Sequence, residues 1–303
     1  MDNTYPISAA ALGAIIDLSK SQPILFQKGD RNALTVLFSE CQTDAQYLLL
    51  KELITNFNYL TSADLEAGAN DLVTQICSNW NLDEATTLIV AAADDDEPDG
   101  SQVLCKSVVT ALGRARRKYS VKARLGYAFQ EASPGDGRFA NIVVLDDFIG
   151  TGDKLSGIVK RLQKHIPQGT IFYIASLAAM RFGLDNIRKE TGCEVFSCHT
   201  YEKGISGTFQ DPKRKEYISE MLGMERRIIP PMRFPRKEKE RCYGFGYGQS
   251  EALFCLEGFS VPNNVFPIFW RDKYCDLSTF MPGGVKHKKA KVSYERATLL
   301  TRA

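Results

Sequence analysis

An α/β fold with a mainly parallel sheet flanked by helices, preceded by a helical N-terminal cap and followed by a C-terminal β extension, is what this 303-residue sequence predicts. Three observations carry that reading. Between residues 86 and 204, short Val/Ile-rich runs alternate with amphipathic helical segments. Runs that are apolar at every position suit strands buried on both faces, and the intervening helices supply right-handed crossovers. Residues 1–85 instead carry helical spacing, and after residue 204 the alternation stops. The chain is thus read as a helical region (1–85), an α/β core (86–204), and a third part (205–303) of basic excursion, late strands and basic tail.

The elements follow in order. Residues 44–57 place Ala45, Leu48, Leu49 and Ile54 on one helical face, and residues 62–80 do the same with Leu65, Ala69, Leu72, Val73 and Ile76. Ser62, with Asp64 and Glu66 behind it, reads as a helix start with carboxylates in the first turn. TTLIVAAA (86–93) predicts a buried strand and residues 100–119 an amphipathic helix. KARLGYAF (122–129) reads as a strand, and NIVVLDD (141–147) as a very strong one. Helix 153–166, strand 170–180, a short helix at 183–190 and strand 193–201 complete the core. Residues 211–241 read as a helix followed by an extended, exposed excursion around IIPPMRFPRK. EALFCLEGF (251–259) and VFPIFW (265–270) read as two late strands around a turn.

Composition narrows the function classes. At 44% hydrophobic and 24% charged, the chain is an ordinary globular one with no apolar run long enough to span a bilayer. Its N-terminus begins acidic and lacks a basic stretch and a clear cleavage site, so the expectation is a cytoplasmic protein without a signal peptide. The eight cysteines form no CxxC pair and mostly sit in apolar runs, which reads as reduced core thiols. With only His165, His199 and His287 available, a Cys/His zinc cage is disfavoured. The net charge of +2 conceals a polarity, because residues 1–99 hold 4 Lys/Arg against 16 Asp/Glu, and the remainder 34 against 20. The basic part is either a surface for phosphates or nucleic acid, or the docking partner of the acidic part.

Chemistry concentrates in NIVVLDDFIGTGDKLSGIVKRL (141–162). An apolar strand ends in Asp146 and Asp147, a turn of Gly150, Thr151 and Gly152 follows, and a helix begins at about Asp153. Ligands of open parallel sheets bind beyond the carboxyl ends of the strands, where this turn lies. Glycines let the backbone approach an anion, and the N–H groups of a helix start point at it. Adjacent carboxylates beside such a cradle make sense if they take sugar hydroxyls or a divalent cation, and phosphate, diol and Mg2+ together describe a ribose 5-phosphate ligand. The plainer reading is a strand-to-helix connection with Asp153 as cap, which leaves the two preceding carboxylates unexplained.

The stretch closely resembles the ribose-phosphate loop of type I phosphoribosyltransferases: a hydrophobic strand, two acids, three variable positions, then Thr-Gly-x-Thr/Ser. The resemblance implies a type I phosphoribosyltransferase-like core in which Asp146 and Asp147 bind the ribose hydroxyls of phosphoribosyl pyrophosphate (PRPP), with Mg2+ as cofactor. Thr151, Gly152 and Asp153 would then hold the 5-phosphate, beside Gly150. Lys154 stands where the signature has Thr/Ser, with Ser156 two residues on; it pairs with phosphate or is a surface residue of the first helical turn. Gly150 replaces the acid of hypoxanthine-type enzymes and disfavours that substrate class. The pyrophosphate loop, generally small or basic, corresponds here to DDDEPDGS (94–101), whose five acids either repel pyrophosphate unless Mg2+ intervenes or form a solvated loop. Gly100 and Ser101 at the next helix start remain available to an anion.

A second resemblance covers residues 243–270. The glycine-rich turn, apolar strand and Pro262, Asn263, Asn264, Pro267 and Trp270 look like the C-terminal signature of phosphoribosyltransferase-like proteins of bacterial conflict and anti-phage operons, including some retron loci. The Asn263–Asn264 pair reads a base edge or holds its own loop. These resemblances imply an effector acting on PRPP, a nucleotide or nucleic acid at the ribose anomeric carbon, in anti-phage defence. Nucleic acid would contact the basic segments 211–241 and 286–303, with an operon partner such as a reverse transcriptase complex. The alternative is a catalytically inactive protein that senses a nucleotide or PRPP.

Overall fold

A computed structural model describes residues 9–23, 31–93, 99–132, 138–228, 244–271, 273–275 and 292–295. The acidic stretch 94–98, the excursion 229–243 and most of the basic tail lie outside the described residues. The helices are α1 Ala9–Ser21, α2 Arg31–Ser39, α3 Asp44–Thr55, α4 Ser62–Thr74, α5 Gly100–Arg114, α6 Leu125–Glu131, α7 Asp153–His165, α8 Arg181–Thr191 and α9 Lys213–Glu225. The strands are β1 Asn58–Leu60, β2 Thr87–Ala91, β3 Ser120–Lys122, β4 Asn141–Ile149, β5 Ile171–Met180, β6 Glu194–Tyr201, β7 Phe254–Leu256, β8 Lys273–Cys275 and β9 Val292–Glu295. The chain divides into two compact units, one of residues 60–202 with 256–259, the other of residues 1–59, 203–255 and 260–303.

The first unit is built on a five-stranded sheet in the order β3-β2-β4-β5-β6, with every pair parallel. Val143, Val144 and Leu145 of the central strand are fully buried, as are Leu88 to Ala91 of β2. That double-sided burial is why the sequence shows unbroken apolar runs in place of alternation. One face is covered by α6, α7 and α8, with Leu155, Ile158, Val159 and Leu162 of α7 packed into the core. Their spacing of three and four residues is the buried stripe of an amphipathic helix. The α4 helix also packs on this sheet, with Gly68 set against Leu177 and Cys198. Its cap is Thr61 in a capping box with Asp64, one residue before the Ser62 start expected from the sequence.

Two elements differ from expectation. Residues 122–129 hold only the last residue of β3 and then α6, because Leu125, Ala128 and Ala132 bury at helical spacing. The stretch 265–270 is not a strand but carries a single 3-10 turn, Pro267–Phe269. A proline lacks the N–H that a central ladder position needs.

The second unit buries Leu18, Leu34, Leu49, Leu50, Leu53 and Ile54 of α1–α3 together with Phe254, Phe266 and Phe269. Phe269 meets Phe57 edge-on with ring centroids 5.6 Å apart. Cys41, Cys77, Cys105, Cys193, Cys198 and Cys255 form no disulfide among the described residues. Burial pushes the Cys41, Cys198 and Cys255 thiols up to about 12, so they remain protonated and inert. Among the described residues no helix is long and apolar enough to cross a membrane.

Candidate functional site at the strand order reversal

The sheet order places β2 beside β4 while their connections leave in opposite directions, to β3 on one side and to β5 on the other. This is the point of an open parallel sheet where a crevice forms beyond the carboxyl ends of the strands. Two helix starts flank it, α5 after β2 and α7 after β4.

The α7 start is shaped by Gly152. It is the N-cap at φ +85°, a left-handed conformation, and no side chain caps the helix there. A Cβ at this position would lie 2.6 Å from the Gly183 carbonyl oxygen and 2.9 Å from Ile187 Cγ1, so the turn fits tightly against α8. Asn186 Nδ2 donates to the Thr151 carbonyl at 3.1 Å, and the Asp153 N–H donates to Thr151 Oγ1 at 3.3 Å. The turn Gly150–Asp153 is therefore held from outside, by α8; the Thr151 side chain takes the Asp153 N–H, and Gly152 at the N-cap has no side chain to take another.

The α5 start is closed by a capping box. Asp99 accepts from the Ser101 N–H at 2.8 Å, and Gln102 Oε1 accepts from the Asp99 N–H at 3.4 Å. Gly100 follows, and a Cβ there would lie 2.2 Å from Asp147 Oδ2. Only a glycine lets the end of β4 come this close to the helix. Asp99, Asp146 and Asp147 thus converge, each with a carboxylate oxygen within 4.8 Å of the others.

Lys154, in the first turn of α7, answers this charge. Its Nζ donates to Asp99 Oδ2 at 2.9 Å and to Asp146 Oδ1 at 3.1 Å. The Asp146 side chain is 4% exposed and that of Lys154 47%, so a buried carboxylate is paired with a cation reaching in from the surface. Burial pushes the Asp146 carboxyl above the usual range, partly offset by Lys154. Burial and the neighbouring Asp146 and Asp99 charges push Asp147 up further. Burial also works against ionised Asp99, but its Ser101 and Lys154 partners hold it below the usual range. For Lys154 the Asp146 and Asp99 charges outweigh burial and keep the ammonium protonated.

The structure brings Asp146, Asp147, Gly100, Ser101 and Lys154 to one place, with the Gly150–Asp153 turn leading from β4 into α7. Asn263 and Asn264 belong to the other compact unit. Asn264 is buried and its Nδ2 donates to Ser250 Oγ at 2.9 Å and to the Tyr247 carbonyl at 3.3 Å, while the Asn263 carbonyl accepts from the Tyr247 N–H. Both arrangements hold the glycine-rich turn 244–251. Asp99, Gly183 and Asn186 are members of the first site that the sequence reading does not single out. Asp99 carried a usable signal, since Asp-Gly-Ser-Gln spells a capping box before an apolar helix.

The donor set suits a divalent ion in kind, because Mg2+ takes carboxylate oxygens. Two of the three carboxylates, however, already share the Lys154 ammonium.

No curated protein matches the chain in sequence. Similar solved structures include orotate phosphoribosyltransferase from Aeropyrum pernix, at 17% identity and TM-score 0.29, covering 44% of this chain and 70% of that one. Another is the APRTase from Giardia lamblia complexed with 9-deazaadenine, at 13% identity and TM-score 0.32, covering 45% and 79%. A third is the HGPRT-ase from Leishmania tarentolae in complex with GMP, at 12% identity and TM-score 0.32, covering 46% and 76%. The family match reaches much further along the chain, over residues 37–278, and includes the whole sheet, both helix starts and the Asn263–Asn264 turn. By that match the chain belongs to the PRTase-CE family.

Proposed function

We propose that the β4–α7 turn binds a ribose 5-phosphate group, as part of PRPP or a nucleotide, and that the protein transfers or releases that group at the anomeric carbon. The observation that carries this reading is the pairing of an α7 start at a left-handed glycine with two aspartates in the preceding strand, which runs two residues past the expected end to Ile149. The remaining N–H groups of the first α7 turn suit the 5-phosphate, with the Thr151 hydroxyl as a further donor. Asp146 and Asp147 suit the 2′- and 3′-hydroxyls as acceptors, and Gly100 leaves space for the Asp147 carboxylate. Gly150 and Ser101 would line the same ligand.

In the reaction the bond from the anomeric carbon to its leaving group breaks and the electron pair departs with that group. A base nitrogen or water then forms the new bond to that carbon and gives up its proton to the departed group or to solvent. The transition state is oxocarbenium-like, so orientation of the sugar and fixed negative charge beside it supply most of the acceleration. Asp146 and Asp147 orient the sugar through its hydroxyls, and Asp146, paired with Lys154, supplies the charge. Mg2+, when bound, would neutralise charge on a pyrophosphate leaving group, and Asp99, Asp146 and Asp147 are the oxygen donors nearest to that role.

A nucleotide- or PRPP-sensing protein without turnover is the second reading, favoured by Lys154 engaging the acids that a substrate would need. The setting we propose is anti-phage defence, with nucleic acid or an operon partner such as a reverse transcriptase complex on the basic segments 211–241 and 286–303. Calorimetry with PRPP and ribose 5-phosphate, alongside turnover assays on PRPP and nucleotides, separates the readings. Binding that disappears in Asp146→Asn/Asp147→Asn supports the site, and turnover selects the enzyme. Wild-type protein that binds none of these ligands overturns the proposal.

A further inference from the structure

We infer that Lys154 is the resident cation of the acidic site, and that its ammonium excludes a divalent ion from Asp99 and Asp146 in the ligand-free protein. The inference concerns the free protein and does not rest on the identity of any sugar phosphate.

Asp99 comes from the loop after β2, and Asp146 and Asp147 from the end of β4. Three carboxyl groups, each with an oxygen within 4.8 Å of the others, cannot all ionise without a counter-charge. The chain supplies one covalently. Lys154 Nζ lies 2.9 Å from Asp99 Oδ2, 55 residues away in sequence, and 3.1 Å from Asp146 Oδ1, so it bridges the α5 start to strand β4. A metal coordinated by Asp99 and Asp146 would need those same oxygens, and two cations cannot share them without mutual repulsion.

The position of Lys154 makes the exclusion conditional. It lies in the first turn of α7, whose N-cap Gly152 has no side chain to take an N–H. Roughly half of its side chain remains in solvent, so the stem can swing away while Asp146 stays buried. An anion arriving at the α7 start would compete with Asp99 and Asp146 for the ammonium and uncover their oxygens. A threonine or serine here could not span to either carboxylate as a cation, so the residue at 154 decides whether the acids hold a metal before ligand arrives.

The test is direct divalent binding to the full chain. Mn2+ is titrated into wild type, Lys154→Ala and Lys154→Gln, and followed by calorimetry and by the loss of free Mn2+ signal in electron paramagnetic resonance. Lys154→Gln keeps most of the stem, and thermal melts establish that each variant is folded. The expected result is at least about tenfold tighter Mn2+ binding in both variants than in wild type, equivalent to about 1.4 kcal/mol. The gained site should vanish when Asp99→Asn is added. Equal affinity in wild type and variants, tight or absent, overturns the inference, as does a gained site that survives Asp99→Asn. Micromolar Mn2+ binding by wild type overturns it without any variant.

Discussion

Two glycines five residues apart, one capping α7 and one inside it, should respond in opposite directions to the same substitution. Gly152 sits at φ +85°, and its missing Cβ would meet the Gly183 carbonyl oxygen at 2.6 Å and Ile187 Cγ1 at 2.9 Å. Gly157 is exposed in the helix interior, with nothing within 4 Å of its would-be Cβ. For Gly152→Ala, the left-handed backbone costs an L-residue about 1–2 kcal/mol, because Cβ crowds the carbonyl oxygen. Forcing a methyl against backbone in a packed site adds about 1–3 kcal/mol, since the Gly183 oxygen can move only with α8. Together these give about 2–5 kcal/mol, and a unit of this size loses about 2–4 °C of melting temperature per kcal/mol. Gly157→Ala should instead stabilise by about 0.5–1 kcal/mol through helix propensity alone. Differential scanning calorimetry reads both shifts, and calorimetric titration with ribose 5-phosphate reads the site. Gly152→Ala should melt lower and lose ribose 5-phosphate binding, while Gly157→Ala should melt slightly higher and bind as wild type. A Gly152→Ala protein that melts within about 1 °C of wild type would refute the idea that α8 clamps the turn.

Other consequences can be checked with single variants. Burial pushes the Glu225 carboxyl up to about 8, and its Oε1 has no partner among the described residues, while Oε2 accepts from the Phe245 N–H at 2.8 Å. A carboxyl whose folded pKa is raised contributes stability below its unfolded pKa and loses it as pH rises towards the folded one. Melting temperature should therefore fall between about pH 4.5 and 8 more steeply in wild type than in Glu225→Gln, and parallel curves would exclude this cause. Asn264→Ala should cost about 1–3 kcal/mol in urea denaturation, because Ser250 Oγ and the Tyr247 carbonyl lose a buried donor. If its stability is unchanged but nucleotide binding is lost, Asn264 reads a ligand and does not hold the turn.

Much of the α/β core can be read directly from residue pattern. β2, β4, β5 and β6 announce themselves as unbroken apolar runs because each is buried on both faces. The α7 stripe of Leu155, Ile158, Val159 and Leu162 is equally plain. Strand order has no such local trace. The adjacency of β2 and β4 is a choice among crossovers made by the whole chain, and it alone brings Asp99 and Gly100 to Asp146 and Asp147. The α6 segment misled because an aromatic, short apolar run suits strand and helix alike until burial shows which spacing is used. Pro267 within VFPIFW, by contrast, was a legible argument against a strand.

Lys154 carries the same lesson into chemistry. Within the sequence it is one lysine in an amphipathic helix, and its distance from Asp99 along the chain hides any relation between them. Once β2 and β4 lie side by side, that lysine is the counter-charge for one carboxylate at the α5 start and one in β4. On the proposed function, phosphate at the α7 start would draw on the ammonium that pairs Asp99 and Asp146, so the two could not be independent. A sugar phosphate that offers an anion to Lys154 and hydroxyls to Asp146 and Asp147 satisfies both demands at once, whereas inorganic phosphate satisfies only the first. Affinity for ribose 5-phosphate should therefore exceed affinity for inorganic phosphate by more than ordinary diol hydrogen bonds supply. Lys154→Ala should narrow that difference, because the released aspartates no longer wait on the anion.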